Sequence, residues 1–122
     1  MVRSTAVGDA FSVDLSRRGV SVVCSVAGEI DLATAPALVE AIESELDSPA
    51  TDTTRVVVDL SEVGFLDSSG LNALVRLEQT LGGRGVDVRI VSPSDRVVRQ
   101  VFEITHLTEP LKVVESLDEA LG

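Results

Sequence analysis

Val56-Val57-Val58, inside the stretch Arg55-Val56-Val57-Val58-Asp59-Leu60, is an apolar run with no polar position in its middle. A strand wetted on one face alternates polar and apolar residues, so three consecutive valines ask for cover on both faces. Helices supply that cover, and helices inserted between strands of one sheet imply parallel pairing. This run therefore reads as a central, doubly covered strand, and it points the whole chain toward an α/β fold.

The flanking patterns agree. Phe11, Val13 and Leu15 alternate with Ser12, Asp14 and Ser16, as in a half-exposed strand. The ten residues before Phe11 are loosely patterned and read as a lead-in. Arg17-Arg18-Gly19 reads as a hairpin turn into a second strand, Val20 to Ile30, with Val20, Val22, Cys24 and Val26 on one face. In 35–46, Leu38, Ile42 and Leu46 fall four apart while Glu40, Glu43 and Glu45 point largely outward, which predicts a helix. Thr34 can cap it, and Pro36 suits its first turn. Residues 48–54 read as a linker within the domain.

After the valine strand, Leu71, Leu74, Val75, Leu77 and Leu81 make a second helical stripe, stopped by Gly82-Gly83-Arg84-Gly85. Residues 86–91 form the next strand. Ser94 is expected to cap a helix over 95–105 whose core face is Val97, Val98, Val101, Phe102 and Thr105. Pro110 precedes a short strand at 111–114, and Ser116 opens a final amphipathic turn. The expectation is a single α/β domain over residues 1–122, with its core at about 11–121. Its mixed, mostly parallel β-sheet opens with a β-hairpin and carries covering α-helices.

Charge and composition narrow the function. Twenty acids against ten bases give a net charge of -10, and only three residues are aromatic, all Phe. Such a surface repels phosphates and offers no stacking platform, which argues against nucleic acid and favours a partner with a basic face. Cys24 and His106 are the only residues of their types. No intramolecular disulfide and no His/Cys zinc cluster can be assembled, and Cys24 reads as a small buried hydrophobe. No signal core opens the chain, and no apolar stretch approaches the ~20 residues of a membrane span. A cytoplasmic protein with no metal or cofactor is the expectation.

The chemistry-bearing stretch is Phe65-Leu66-Asp67-Ser68-Ser69-Gly70-Leu71, between the valine strand and the leucine helix. The Gly82–Gly85 stretch leaves a helix and enters a strand, the reverse of a phosphate loop. A serine hydrolase would place Ser68 on a nucleophile elbow, yet Leu66 stands where that elbow requires glycine. Its base would have to be His106, which follows a helix end. The carboxylates are scattered rather than paired, so the chain does not read as an enzyme. Two readings stay open for the serines. They cap the helix, as Asp and Ser commonly do, or they are where another protein acts. A helix N-terminus tolerates a phosphate well, and Gly70 lets backbone approach closely.

At this stretch the sequence resembles the STAS domain of bacterial anti-sigma factor antagonists, from about Phe11 to Leu121. Three blocks carry the resemblance: Gly28-Glu29-Ile30-Asp31 with Thr34, Val56 to Leu60, and Phe65 to Leu71. Family members commonly have Met where Leu66 stands, a conservative departure. The resemblance implies that Ser68 is phosphorylated by an anti-sigma factor that is itself a serine kinase and brings its own Mg-ATP. The unmodified antagonist binds that kinase and frees the sigma factor, and a serine phosphatase restores it. Asp31 and Thr34 match a loop close to that site; Asp67 and Ser69 would shape the cap, and Gly70 would belong to the docking surface. STAS domains also occur in stressosome scaffolds and as tails of anion transporters. The same resemblance carries a second reading, a non-phosphorylated accessory subunit of an ABC-type lipid transport complex.

Overall fold

A computed structural model describes residues 2–6, 11–48 and 52–122. Six strands form one sheet: β1 (Val2–Ala6), β2 (Phe11–Arg18), β3 (Ser21–Ile30), β4 (Arg55–Leu66), β5 (Asp87–Val91) and β6 (Val113–Val114), ordered spatially as they are in sequence. The first three pair antiparallel, and β3 to β6 pair parallel. The helices α1 (Ala35–Leu46), α2 (Ser68–Gly83) and α3 (Val97–Ile104) make the parallel crossovers, and α4 (Leu117–Leu121) follows β6.

This order decides the layering. Parallel crossovers are right-handed, and here each steps in the same direction across the sheet. All three crossover helices therefore fall on one face. There Val56, Val58, Cys24 and Ile90 meet Leu38, Ile42, Leu74 and Phe102 in one aliphatic core. Burial pushes the Cys24 thiol up to about 12, with Asp14 and Asp59 adding to the effect, so the group stays a neutral hydrophobe. On the opposite face Val23, Val57 and Val91 are covered by Ala120 of α4, with Leu117 and Leu121 beside it. The valine run is thus covered on both sides, as its lack of alternation requires.

Several expectations need correction. The lead-in holds β1, which pairs with β2 from Val2↔Ser16 to Ala6↔Ser12; residues 7–10 lie outside the described residues. An outer strand needs backbone partners more than a side-chain pattern, so composition left it unmarked. Residues 49–51 of the expected linker also lie outside the described residues. The valine strand does not end at Leu60 but continues to Leu66 through two register shifts against β3. Val20 sits in the hairpin turn, 49% exposed, instead of joining the core. α3 begins at Val97, two residues later than expected. Ser94 does not cap it, because its hydroxyl and amide both bind Glu115. Val97 and Thr105 face outward, which leaves Val98 and Phe102 as that helix's buried residues. The last strand is only Val113–Val114.

Candidate functional site

The two loops that leave the carboxyl ends of the adjacent parallel strands β3 and β4 lie side by side. Ligands and partners of open α/β sheets engage this edge, where loops rather than strands meet solvent. The Asp67 amide donates to the Ile30 carbonyl at 3.3 Å and ties one loop to the other.

The first loop is locked from within. The Asp31 carboxylate accepts from the amides of Ala33 at 3.0 Å and Thr34 at 3.1 Å. The Thr34 hydroxyl accepts from the Asp31 amide at 2.9 Å and donates to the Glu29 carbonyl at 2.8 Å. Its Oγ1 also lies 3.2 Å from the Asp31 carboxylate, but its one proton serves the shorter contact. Thr34 stands at the N-cap position of α1 without capping by its side chain, so the expected cap is instead a loop clasp. Gly28, just upstream, holds φ +104°, a conformation other residues rarely adopt. There β4 carries an extra residue, between the pairs Gly28↔Val63 and Glu29↔Phe65.

In the second loop, Asp67 is the N-cap of α2. Its backbone is extended, and its carboxylate accepts from the Gly70 amide at 2.9 Å. Gly70 is buried where α2 meets the end of β3. A Cβ on it would stand 2.6 Å from the Ile30 carbonyl oxygen and 2.6 Å from Leu66 Cδ1. No side chain fits there without moving backbone, so glycine sets how closely the helix start approaches the sheet.

The helix cap therefore belongs to Asp67 and not to the serines. Ser68, the first residue of α2, is exposed, and its hydroxyl has no hydrogen-bond partner among the described residues. Ser69 is half-buried and takes no part in the cap it was expected to shape; it turns instead toward a groove between α1 and α2. Two exposed apolar side chains flank the site, Leu32 at 77% and Phe65 at 49% exposure. The sequence marked Phe65 only as the start of the 65–71 stretch and did not mark Leu32, because nothing local reveals that either side chain is left uncovered.

The hydrolase geometry does not assemble. Ser68 lies at the carboxyl end of the parallel strands. α3 runs back toward their amino ends, and His106 follows its last turn in a left-handed conformation, φ +59°. Acid and base chemistry would need these two side chains together, and the topology sets them at opposite ends. Among the described residues no group of three or more His, Cys, Asp or Glu side chains is placed to hold a metal ion. No helix there is long and apolar enough to cross a membrane.

Comparison with known proteins agrees with this architecture. Residues 12–120 match the STAS domain family. The anti-sigma-F factor antagonist RsfB of Mycobacterium tuberculosis is 35% identical over 114 residues, covering 93% of this chain and 88% of that protein. An anti-sigma-B factor antagonist of Listeria monocytogenes is 36% identical over 88 residues, covering 72% of this chain and 74% of the relative. An anti-sigma factor antagonist from Mycobacterium paratuberculosis superposes with a TM-score of 0.79 at 33% identity, covering 96% of each chain. Sequence and fold agree over nearly the same span, and the conclusion is that this chain belongs to the STAS-domain family of anti-sigma factor antagonists, which are regulators rather than enzymes.

Proposed function

We propose that this protein, acting in the cytoplasm, binds an anti-sigma factor that is a serine kinase and so releases a sigma factor. Phosphorylation of Ser68 breaks the complex, and a serine phosphatase restores it. The observation that carries this reading is the division of labour at the start of α2: Asp67 supplies the cap, while the adjacent Ser68 hydroxyl is exposed and unused by the fold. A side chain without a structural duty can be modified without unfolding the domain.

The chemistry is transfer of the γ-phosphoryl group. The Ser68 oxygen attacks the γ-phosphorus of the kinase's Mg-ATP, the bond to ADP breaks, and the hydroxyl proton passes to a base on the kinase. The product carries about -1.5 to -2 charges at pH 7. At a helix N-terminus this charge is favoured by roughly 0.3–1 kcal/mol when exposed, so the fold keeps its shape. An interface fitted to a neutral hydroxyl does not tolerate it. The charge arrives beside Asp67 on an already acidic protein, and an unpaired charge buried at an interface costs several kcal/mol. Every ~1.4 kcal/mol is tenfold in affinity. Asp31 and Thr34 hold the neighbouring loop in place, and Ser69 with the first turn of α2 completes the docking surface; Gly70, expected there, is buried and instead sets how closely that turn packs on the sheet.

Incubation with the kinase and Mg-ATP, followed by mass spectrometry, is expected to find phosphate on Ser68. Ser68→Ala should incorporate none and bind the kinase within a few-fold of wild type. Phosphate on Ser69, or undiminished incorporation in Ser68→Ala, would overturn the assignment.

A further inference from the structure

A trough of about 460 Å³ runs between α1 and α2, beginning at Leu32 and Ser69 beside the proposed phosphorylation site. Small residues from both helices, Ala35 and Ala73, are among those that line it. Val39 and Leu77 extend its apolar floor. Its two walls carry opposite charge. Glu40 and Glu43 stand on the α1 side and Arg76 on the α2 side, and among the described residues none of the three is in an ion pair.

A volume in this range suits small molecules too, since their sites span roughly 300–1,000 Å³. Length and charge favour a different occupant. The α1 wall runs from Ala35 to Glu43, roughly 12 Å at 1.5 Å per residue, and the α2 wall from Ser69 to Thr80, roughly 16 Å. Two to three turns of helix fill such a length. A helix laid there would bury an apolar face on the alanine floor, in the helix-in-groove mode of recognition. Two unpaired acids along one wall call for basic residues on the edge that faces α1, and Arg76 calls for an acid on the other.

We infer that the α1–α2 trough is a second part of the docking surface, taking an amphipathic helix of the anti-sigma factor whose α1-facing edge is basic. This rests on the function proposed above, and it extends the interface away from Ser68 along the helices. Leu32, at the junction of the two parts, would be buried by the incoming helix.

The test titrates wild type, Ser68→Asp, Ala73→Trp and Glu40→Arg/Glu43→Arg by calorimetry against each purified anti-sigma factor kinase of the host. Circular dichroism and urea midpoints check that each variant folds. Ala73→Trp fills the trough and should weaken binding at least tenfold. The double charge reversal leaves the floor untouched and should do the same. Glu109→Arg/Glu119→Arg, an equal charge change remote from the trough, should bind within about threefold of wild type. If wild type binds and Ser68→Asp does not, while both trough variants bind normally, this inference fails and the function stands. If the remote pair loses as much as the trough pair, net charge alone is at work and the inference fails. If no kinase binds wild type, the function itself is wrong and the inference falls with it. Should anilinonaphthalene sulfonate bind wild type and be expelled by Ala73→Trp while kinase affinity is unchanged, the trough is a small-molecule site and not a docking surface.

Discussion

One absent side chain governs the site. Gly70 lets the first turn of α2 come within contact of Ile30 and Leu66, and both the position of Ser68 and the Asp67 cap depend on that approach. Gly70→Ala would press a methyl group into backbone, so overpacking should destabilise the protein by about 1–3 kcal/mol. Urea melts showing under about half a kcal/mol would mean the helix start shifts freely. This loop was legible in the sequence as a helix start, because Asp and Ser are favoured caps, but which of them caps and which stays free was not. Thr34 and Ser94 were misread for a related reason. A hydroxyl that can cap a helix can equally bind a loop carbonyl or a remote carboxylate, and only the fold brings Glu29 and Glu115 to them. The exposure of Leu32 was hidden for the same cause, since nothing local reveals what a loop leaves uncovered.

Among the elements, α1 was legible from end to end: fourfold apolar spacing, a proline in the first turn and a run of acids agree on one helix. β4 was legible only in its first half. Each of its two bulges resets the alternation of faces, so residues 61–64 carry no strand pattern and the expected strand stopped at Leu60. Those bulges set the register at the site: they absorb two extra residues of β4, so that Leu66 pairs with Ile30 and Asp67 follows level with the end of β3. The cap that follows should be worth measuring by itself. Asp67→Ala removes the acceptor of the Gly70 amide and is expected to cost about 0.5–2 kcal/mol in denaturant unfolding. No measurable loss would show that the cap adds nothing to the helix.

Across the whole molecule, the sheet is asymmetric: three helices cover one face, and the short α4 covers part of the other. α4 is held at its carbonyl end by Arg55 and Arg89, which donate to Ala120, and Asp87 pairs with Arg89, Arg55 and Lys112 beneath them. Burial alone would raise the Asp87 carboxyl, but hydrogen bonds and charges from Lys112 and Arg89 outweigh it and hold the group below the ordinary carboxylate range. Its contribution is therefore complete above about pH 4 and is lost as pH falls through the lowered value. Asp87→Asn should be less stable than wild type at pH 7, and the gap should narrow in urea melts taken below about pH 4. A constant gap would remove Asp87 from the acid response. The general layout was visible in sequence because it follows from the valine run and the strand–helix alternation; the C-terminal corner was not, since it joins residues far apart in the chain. In the proposed switch, one phosphate on Ser68 separates folding from binding. The most direct measurement compares the unmodified protein with its purified Ser68-phosphorylated form, each titrated calorimetrically into the anti-sigma factor kinase and each examined by circular dichroism. The expected result is identical spectra with at least a tenfold loss of affinity on phosphorylation; equal affinities, or a loss of affinity accompanied by a changed spectrum, would contradict it.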